Sequence, residues 1–456
     1  RFTEQTVIIR LTTYDLGRCV SPLQQIIKEL HRARLSMIGT IFLMVNATLG
    51  AGLMNFPQAF DKAGGIASAT LVQLGFLVFI TGALIILAHC SDVTDTSSMQ
   101  DTLAGLCGTK ALFVCGICVA VYSFGCCLTF VIIIGDQFDR VLATFYGMDY
   151  CHTWYLSRPF VTSLACLVFI LPLCFFKKLD VLSYVSSVGC LTILYLVWVV
   201  IDENLRSTDA APKPTQTWPD DATQALQIVP IICFAYQSHM TAIPSYACMK
   251  DRNIMKFTVC SVVSIAICFL AYTAVGIFGY KTFGTGKVPE DILQGYTDTS
   301  ATLTVAIVAV AVKNFVTYPI VMFCGRNSVL GLFGNDLENI PIVRIVVTVL
   351  WFGMSLVIAI VVPDIGPVIN LMGTLSAAFI FVFPGICLLQ CTLLKDPALH
   401  LNKDRFLVFA AILTTALGAF VCGVVFVESL RDILKEPSEP PLVTGFKANL
   451  GQSLCV

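Results

Sequence analysis

The chain has 456 residues, of which 57% are apolar and only 12% charged, and its mean hydropathy is +0.83. A soluble protein carries about a quarter of its residues as charges, so a water-soluble globular fold is excluded. The net charge of −1 says little by itself, because in a membrane protein the placement of charge outweighs its sum.

In chain order, residues 1–35 read as a basic tail of mixed polarity. Eleven apolar segments follow, at 36–60, 65–90, 111–143, 159–176, 181–202, 225–249, 255–280, 300–324, 341–361, 365–391 and 405–430. At roughly 20 residues, such a segment crosses about 30 Å of hydrocarbon as a helix. The fold class is therefore an all-α polytopic membrane protein of eleven transmembrane helices, with the lipid bilayer as its first partner. The stretch DENLRSTDAAPKPTQTWPDD (202–221) is the most loop-like, and the short turn KKLD (177–180) makes its neighbours antiparallel. Three regions result: a 1–35 tail, a 36–391 ten-helix core, and 392–456 with the last helix and an outer tail.

Orientation follows from basic residues. A cytoplasmic N-terminus puts seventeen Lys and Arg on that side and ten on the other, with Lys313 inside a span. The bias favours the N-terminus inside. The 20 cysteines lie mostly within apolar stretches such as FVCGICVA (113–120) and FGCCLTF (124–130). There they act as small hydrophobes, so neither a disulfide framework nor a metal centre is expected. Cys151 is the clearest loop cysteine.

Two spans interrupt themselves. The first contains NATLGAGLMNFP (46–57) and the sixth CFAYQSHMTAIP (233–244). Each is polar at its middle and ends in proline, and the spacing from Asn46 to Pro57 equals that from Cys233 to Pro244. Matched interruptions five spans apart predict an inverted 5+5 repeat with discontinuous helices 1 and 6. A break in lipid frees backbone groups that cost several kcal/mol each if unmet, so it survives only against protein or a water-filled cavity. Freed N–H groups suit a carboxylate and freed carbonyls a cation; an amino acid zwitterion carries both charges. The competing reading of either break alone is a kink or a close packing contact.

The same residues resemble the sodium-coupled neutral amino acid transporters of the amino acid/auxin permease family. The first span matches the family's Asn-x-x-x-Gly-x-Gly signature with its Asn-Phe-Pro and Gly-Gly turn. The likeness continues through IIGDQFDR (133–140), PIICFAYQSH (230–239), GYKTFG (279–284), YPIVMFCGR (318–326), PDIGPVI (363–369) and FIFVFPGICL (379–388). It covers nearly all of the chain after residue 35. It is similar above all to a branch with lysosomal glutamine and asparagine export. The resemblance implies a LeuT-like fold, alternating access, neutral amino acid substrates, Na⁺ alone or with H⁺ as the coupled ion, and no cofactor. It implies a lysosomal membrane, with the plasma membrane as the alternative.

It also assigns residues. Asn46, with carbonyls of the first break, holds sodium, and Thr317 is the matching hydroxyl from the eighth span. Thr48, Leu49, Gly50, Ala51 and Gly52 offer substrate-binding backbone, and glycine lets a ligand approach closely. The other readings are an interhelical bond from Asn46 and a hydroxyl of Thr317 bonded to its own helix. Phe234, Tyr236, Gln237 and Ser238 line the pocket at the second break, and Gln237 or Ser238 can recognise a side-chain amide. Tyr122, towards the middle of the third span, covers the substrate. His239 titrates near neutrality when unperturbed and is a candidate for pH coupling; otherwise it is a neutral ring satisfied by freed backbone. Asp136 is either a proton-sensing or paired carboxylate, or a simple helix-end charge.

The family pattern carries no general requirement for a lysine at the position of Lys313. It precedes Thr317 by four residues and shares its helix face, and an ionisable group at that depth is a functional candidate by default. Its ammonium, or its proton, partly replaces Na⁺; the alternative is that it snorkels or pairs with a carboxylate. A nutrient sensor, signalling through the tail to a cytosolic partner, is the second function class. An enzyme is not expected, since HExxH, GxSxG and P-loop motifs are missing, and no nucleic-acid partner is expected.

Overall fold

A computed structural model describes residues 35–146, 153–175, 180–207, 213–221, 223–296, 300–333, 337, 340–362, 365–395 and 402–434. The 1–34 tail, its possible partner, Cys151 and the end of the chain after 434 lie outside these residues. The described residues are almost wholly helical.

The first expected span is two helices, α1 (Met37–Thr48) and α2 (Gly52–Lys62), bent by 62° at the break. Ser36 caps α1 by accepting from the Gly39 N–H at 3.2 Å. Next come α3 (Ile66–Thr94), the short α4 (Met99–Cys107) and the long α5 (Thr109–Tyr146). The fourth segment is α6 (Arg158–Ala165), a π-helical turn at Cys166–Ile170, and α7 (Leu171–Cys174). Helix α8 (Asp180–Ser207) precedes the second broken element, α9 (Val229–Ala235) and α10 (His239–Ala247). The chain continues as α11 (Ile254–Phe283), capped by Asn253, the single turn α12 (Ile292–Gly295), and α13 (Ala301–Phe333). It ends with α14 (Pro341–Val361), α15 (Ile365–Ala377), a second π-turn at Ala378–Val382, α16 (Phe383–Lys395) and α17 (Asn402–Leu434).

Helices occupy all eleven expected ranges. Among the described residues, eight are long and apolar enough to cross a membrane, and nine if the bent α1–α2 pair counts as one span. The expected eleven is thus not reached by length and composition alone. One of the two remaining ranges holds a run of only 17 residues, Arg158–Cys174, with the π-turn inside it. The other is α8, whose first turns are described in backbone only.

Both interruptions are real. After Thr48 the chain turns extended at Leu49 (φ −74°, ψ 93°) and resumes helix at Gly52. The second helix unwinds over 236–238 without so sharp a bend. The prolines do not mark the breaks, contrary to the spacing argument. Pro57 and Pro244 sit inside the following half-helices α2 and α10, where Pro57 packs so tightly that a Cβ on Gly279 of α11 would lie 2.6 Å from its Cγ.

Helix α11 lies against both halves of the first break, and α5 runs along α13 for much of its length. The Gly64–Gly65 turn (φ +76° and +136°) is covered by the 213–221 loop, which leaves no room for a side chain at either glycine. Ile66 and Ala67 donate backbone hydrogen bonds to the Gln216 and Thr217 carbonyls there. Large apolar side chains such as Leu71, Val78, Ile342, Val349 and Phe406 are exposed, which is the surface that lipid covers in a multi-pass membrane protein. A cleft of about 660 Å³ between α5, the 158–174 segment and α13, lined by Phe138, Phe169, Ile307 and Phe315 among others, belongs to this apolar surface and does not adjoin the breaks.

Candidate functional site

The two breaks meet. A Cβ placed on Gly52 would lie 2.9 Å from the Ala235 Cβ and 3.1 Å from its Cα, so the first turn of α2 rests directly on the last residue of α9. Neither α2 nor α10 has a side-chain cap at its start. The Leu53 and Met54 N–H groups turn back to the Gly50 and Ala51 carbonyls at 3.3 Å, and the Thr241 N–H to the Ser238 carbonyl at 3.0 Å, which leaves only part of each first turn open to another acceptor. Expected result: Gly52→Val cuts transport more than about tenfold, since the new side chain would collide with fixed backbone. Uptake normalised to protein in the membrane checks this; wild-type rates would remove Gly52 from the site.

The structure brings most of the expected residues to this junction. Leu49, Ala51, Phe234, Tyr236, Gln237 and Ser238 are all buried. Thr48 gives its hydroxyl hydrogen to the Met44 carbonyl at 2.8 Å, a bond within its own helix. Among the described residues, the buried Gln237 Nε2 and Ser238 Oγ have no hydrogen-bond partner. Buried polar atoms without partners are rare, and a site that takes a polar ligand is one place where they persist. Tyr122 reaches the same place from α5: its ring centroid is 6.4 Å from that of Phe234 and 5.7 Å from that of Phe379.

His239 is fully buried, with Nε2 3.3 Å from the Ile80 carbonyl and Nδ1 3.0 Å from the Gln237 side-chain oxygen. A neutral ring has one N–H and cannot donate to both. Turning the Gln237 amide by 180° resolves this: its NH₂ then donates to Nδ1, and the ring N–H donates to Ile80. His239 thereby ties the second break to α3.

On the other side of the first break, the Lys313 amine donates to the Leu49 carbonyl at 2.8 Å. A Cβ on Gly189 of α8 would stand 3.2 Å from Asn46 Oδ1 and 3.5 Å from Lys313 Cε, so the asparagine oxygen and the lysine stem share one small space. Thr317 gives its hydroxyl hydrogen to the Lys313 carbonyl at 2.8 Å, a bond within its own helix. The oxygen lone pairs of that hydroxyl stay available.

Asp136 lies away from the breaks, near the end of α5. It pairs with Arg158 at 2.9 Å, and Arg158 also reaches Asp139 at 3.4 Å. Beside it is a carboxylate that sequence reasoning missed. Asp291 accepts from Gln137 Nε2 at 2.8 Å and caps α12 by accepting from the Leu293 N–H at 2.9 Å. Burial pushes the Asp291 carboxyl up to about 7; Asp136 adds to the rise, while the Leu293 N–H, Gln137 and Arg140 oppose it. The loop that carries it is bonded on three sides. Gln294 donates to the Asp136 carbonyl at 2.7 Å, Asn55 of α2 donates to the Glu290 carbonyl at 3.0 Å, and the Gly366 N–H of α15 donates to the Glu290 carboxylate at 2.9 Å.

Tyr272 of α11 was also missed. Its hydroxyl is 2.8 Å from the Thr48 carbonyl and 2.9 Å from the Ala235 carbonyl, so it touches both breaks at once. The available signal was a single phenol in the middle of the apolar run FLAYTAVG.

The start of α2 set against the end of α9 inside a helical bundle is the arrangement of the LeuT-like broken-helix fold. Solved structures share the fold. A crystal structure of MhsT in complex with L-phenylalanine superposes with a TM-score of 0.54 at 14% identity, over 87% of this chain and 99% of that one. A manganese transporter mutant of Eremococcus coleocola gives 0.57 at 12% identity, over 88% and 89%. The family model for transmembrane amino acid transporter proteins matches residues 33–430. Sodium-coupled neutral amino acid transporter 7 of Danio rerio is 34% identical over 422 residues, covering 90% of each chain. The protein of the same name from Homo sapiens is 34% identical, over 86% of this chain and 87% of that one, and solute carrier family 38 member 8 of Homo sapiens is 32% identical, over 86% and 93%. The chain belongs to the transmembrane amino acid transporter family and is no enzyme.

Proposed function

We propose that this chain carries neutral amino acids, glutamine and asparagine first, across a lysosomal membrane by alternating access, with its N-terminus in the cytoplasm. The observation that supports this most is the contact of Gly52 with Ala235, which sets the start of α2, without a side-chain cap, against the carbonyl end of α9. A zwitterion's carboxylate suits those N–H groups, and its ammonium suits the carbonyls left by the ends of α1 and α9. A carboxamide side chain both donates and accepts, which fits Ser238, whose buried hydroxyl lacks a partner among the described residues, and Gln237, one end of whose amide is bonded to His239 and the other is not.

For coupling, the Lys313 amine takes the place of an ion at the Leu49 carbonyl beside Asn46. Sodium then finds a set of neutral oxygens from Leu49, Asn46 and Thr317 only when the amine leaves. His239 and Asp136 stay as candidates for pH coupling. Radiolabelled glutamine flux into proteoliposomes, with Na⁺ and pH gradients imposed separately, tests the proposal. Saturable uptake that asparagine competes supports it. Glutamine binding without flux would instead favour a sensor acting through its cytoplasmic tail.

A further inference from the structure

Tyr272 faces an arithmetic problem. A phenol has one hydrogen to give, yet its oxygen stands within hydrogen-bond distance of two carbonyls, those of Thr48 and Ala235. At any moment only one of them receives the proton. In this state the ring is held between the two: it is fully buried, stacked on Phe56 with centroids 4.4 Å apart, and packed against Tyr236 at 5.0 Å. The Tyr236 hydroxyl is in turn held by Gln73 of α3 at 2.7 Å. The shared donor therefore sits at a fixed point between the ends of α1 and α9. A primary ammonium, with three N–H donors, would satisfy both carbonyls together where the phenol satisfies one.

We propose that Tyr272 clasps the two breaks together in the substrate-free protein, its one hydrogen standing in for the α-ammonium of the amino acid, and that the arriving ammonium takes over the carbonyls. This rests on reading the junction as an amino acid site. Tyr272 is then a positioning residue for the empty carrier. It competes with substrate for the carbonyls and keeps them satisfied during the return of the unloaded protein, when no substrate ammonium is there to do so. The ligand class it implies is a primary α-amine; an analogue with a fully alkylated nitrogen has too few hydrogens to replace it.

Tyr272→Phe separates this role from simple packing, because the ring stays and only the hydroxyl goes. In proteoliposomes the variant is expected to lower KM for glutamine at least about threefold, since no donor has to be displaced. Net uptake should slow about tenfold, because the empty carrier now returns with both carbonyls unmet, while glutamine-for-glutamine exchange keeps its maximal rate within about twofold. A fall in net uptake and exchange alike, with KM unchanged or raised, would overturn the proposal. If the phenylalanine variant does not reach the membrane, a fluorinated tyrosine placed at 272 makes a stronger donor, and KM should then rise; an unchanged or lower KM overturns it equally. Absence of saturable glutamine uptake by the native chain would instead bring down the transport reading itself.

Discussion

Glutamine uptake by the Lys313→Ala protein is expected to fall at least roughly tenfold when Na⁺ is replaced by choline, while uptake by the native chain changes by less than about twofold. The reason is the 2.8 Å bond from the Lys313 amine to the Leu49 carbonyl, the first carbonyl of the unwound stretch. A hydrogen bond to a charged group contributes about 1.5–3 kcal/mol, which corresponds to roughly 10–100-fold in an equilibrium. Removing the amine leaves that carbonyl and the Asn46 oxygen facing the space beside Gly189. On the proposed reading the Thr317 hydroxyl oxygen, one turn along α13, joins them as a third neutral oxygen. Sodium is the obvious replacement, and the variant should acquire a requirement for it. Strict sodium dependence of the native chain would end this account.

Hydrogen exchange in the 284–296 loop is expected to become faster as pH rises from 5 to 8, beyond the change in intrinsic rate, and Asp291→Asn should flatten that response. In the sealed loop the Asp291 carboxyl is raised to about 7 by burial and by Asp136, against the opposing pull of the Leu293 N–H, Gln137 and Arg140. Arg158, on α6, is already engaged by Asp136 and Asp139, and the Glu290 carboxylate of the same loop is bonded to α15. If the loop lifts, Asp291 meets water and titrates near about 4. The sealed form therefore binds the proton more tightly. Its advantage is complete below about pH 4 and is lost as pH rises through about 7, up to roughly tenfold per pH unit in that interval. The asparagine variant mimics the protonated acid and should stay sealed at pH 8. Equal pH responses in the two proteins would show that the carboxyl plays no part. If His239→Ala, and not Asp291→Asn, flattens the pH profile of flux, the sensing lies at the break instead.

The breaks are legible in the sequence because lipid tolerates so few exceptions. A run such as NATLGAG inside a span, matched by AYQSH five spans later, is hard to reconcile with two continuous helices. The sequence also marks Lys313 as an anomaly, and four-residue spacing ties it to Thr317 on α13. What it holds is beyond the reach of spacing, because Leu49 is 264 residues away in sequence. The same limit hides Tyr272, whose two partners lie 224 and 37 residues from it. One of seven hydroxyls in thirty mostly apolar residues looks like packing until three helices are assembled around it. Asp291 is invisible for a different reason: it belongs to a loop, and only burial beneath α12 turns an ordinary carboxylate into one that titrates near neutrality. The prolines mislead in a specific way. They follow the unwound residues closely enough to seem their cause, yet they sit inside the next half-helix, where the shape of Pro57 serves contact with Gly279 of α11.

The amine that rests on Leu49 is fastened to the backbone, and that has an electrical consequence. A dissolved ion that rides with each substrate is delivered to the far side, so every turnover moves charge and the membrane voltage does work on the cycle. A tethered cation makes the outward and the return journey with the protein. On the proposed reading, and where no proton travels with the substrate, a zwitterion carried past it moves no net charge per turnover, so transport would be electroneutral and the accumulation ratio indifferent to membrane voltage.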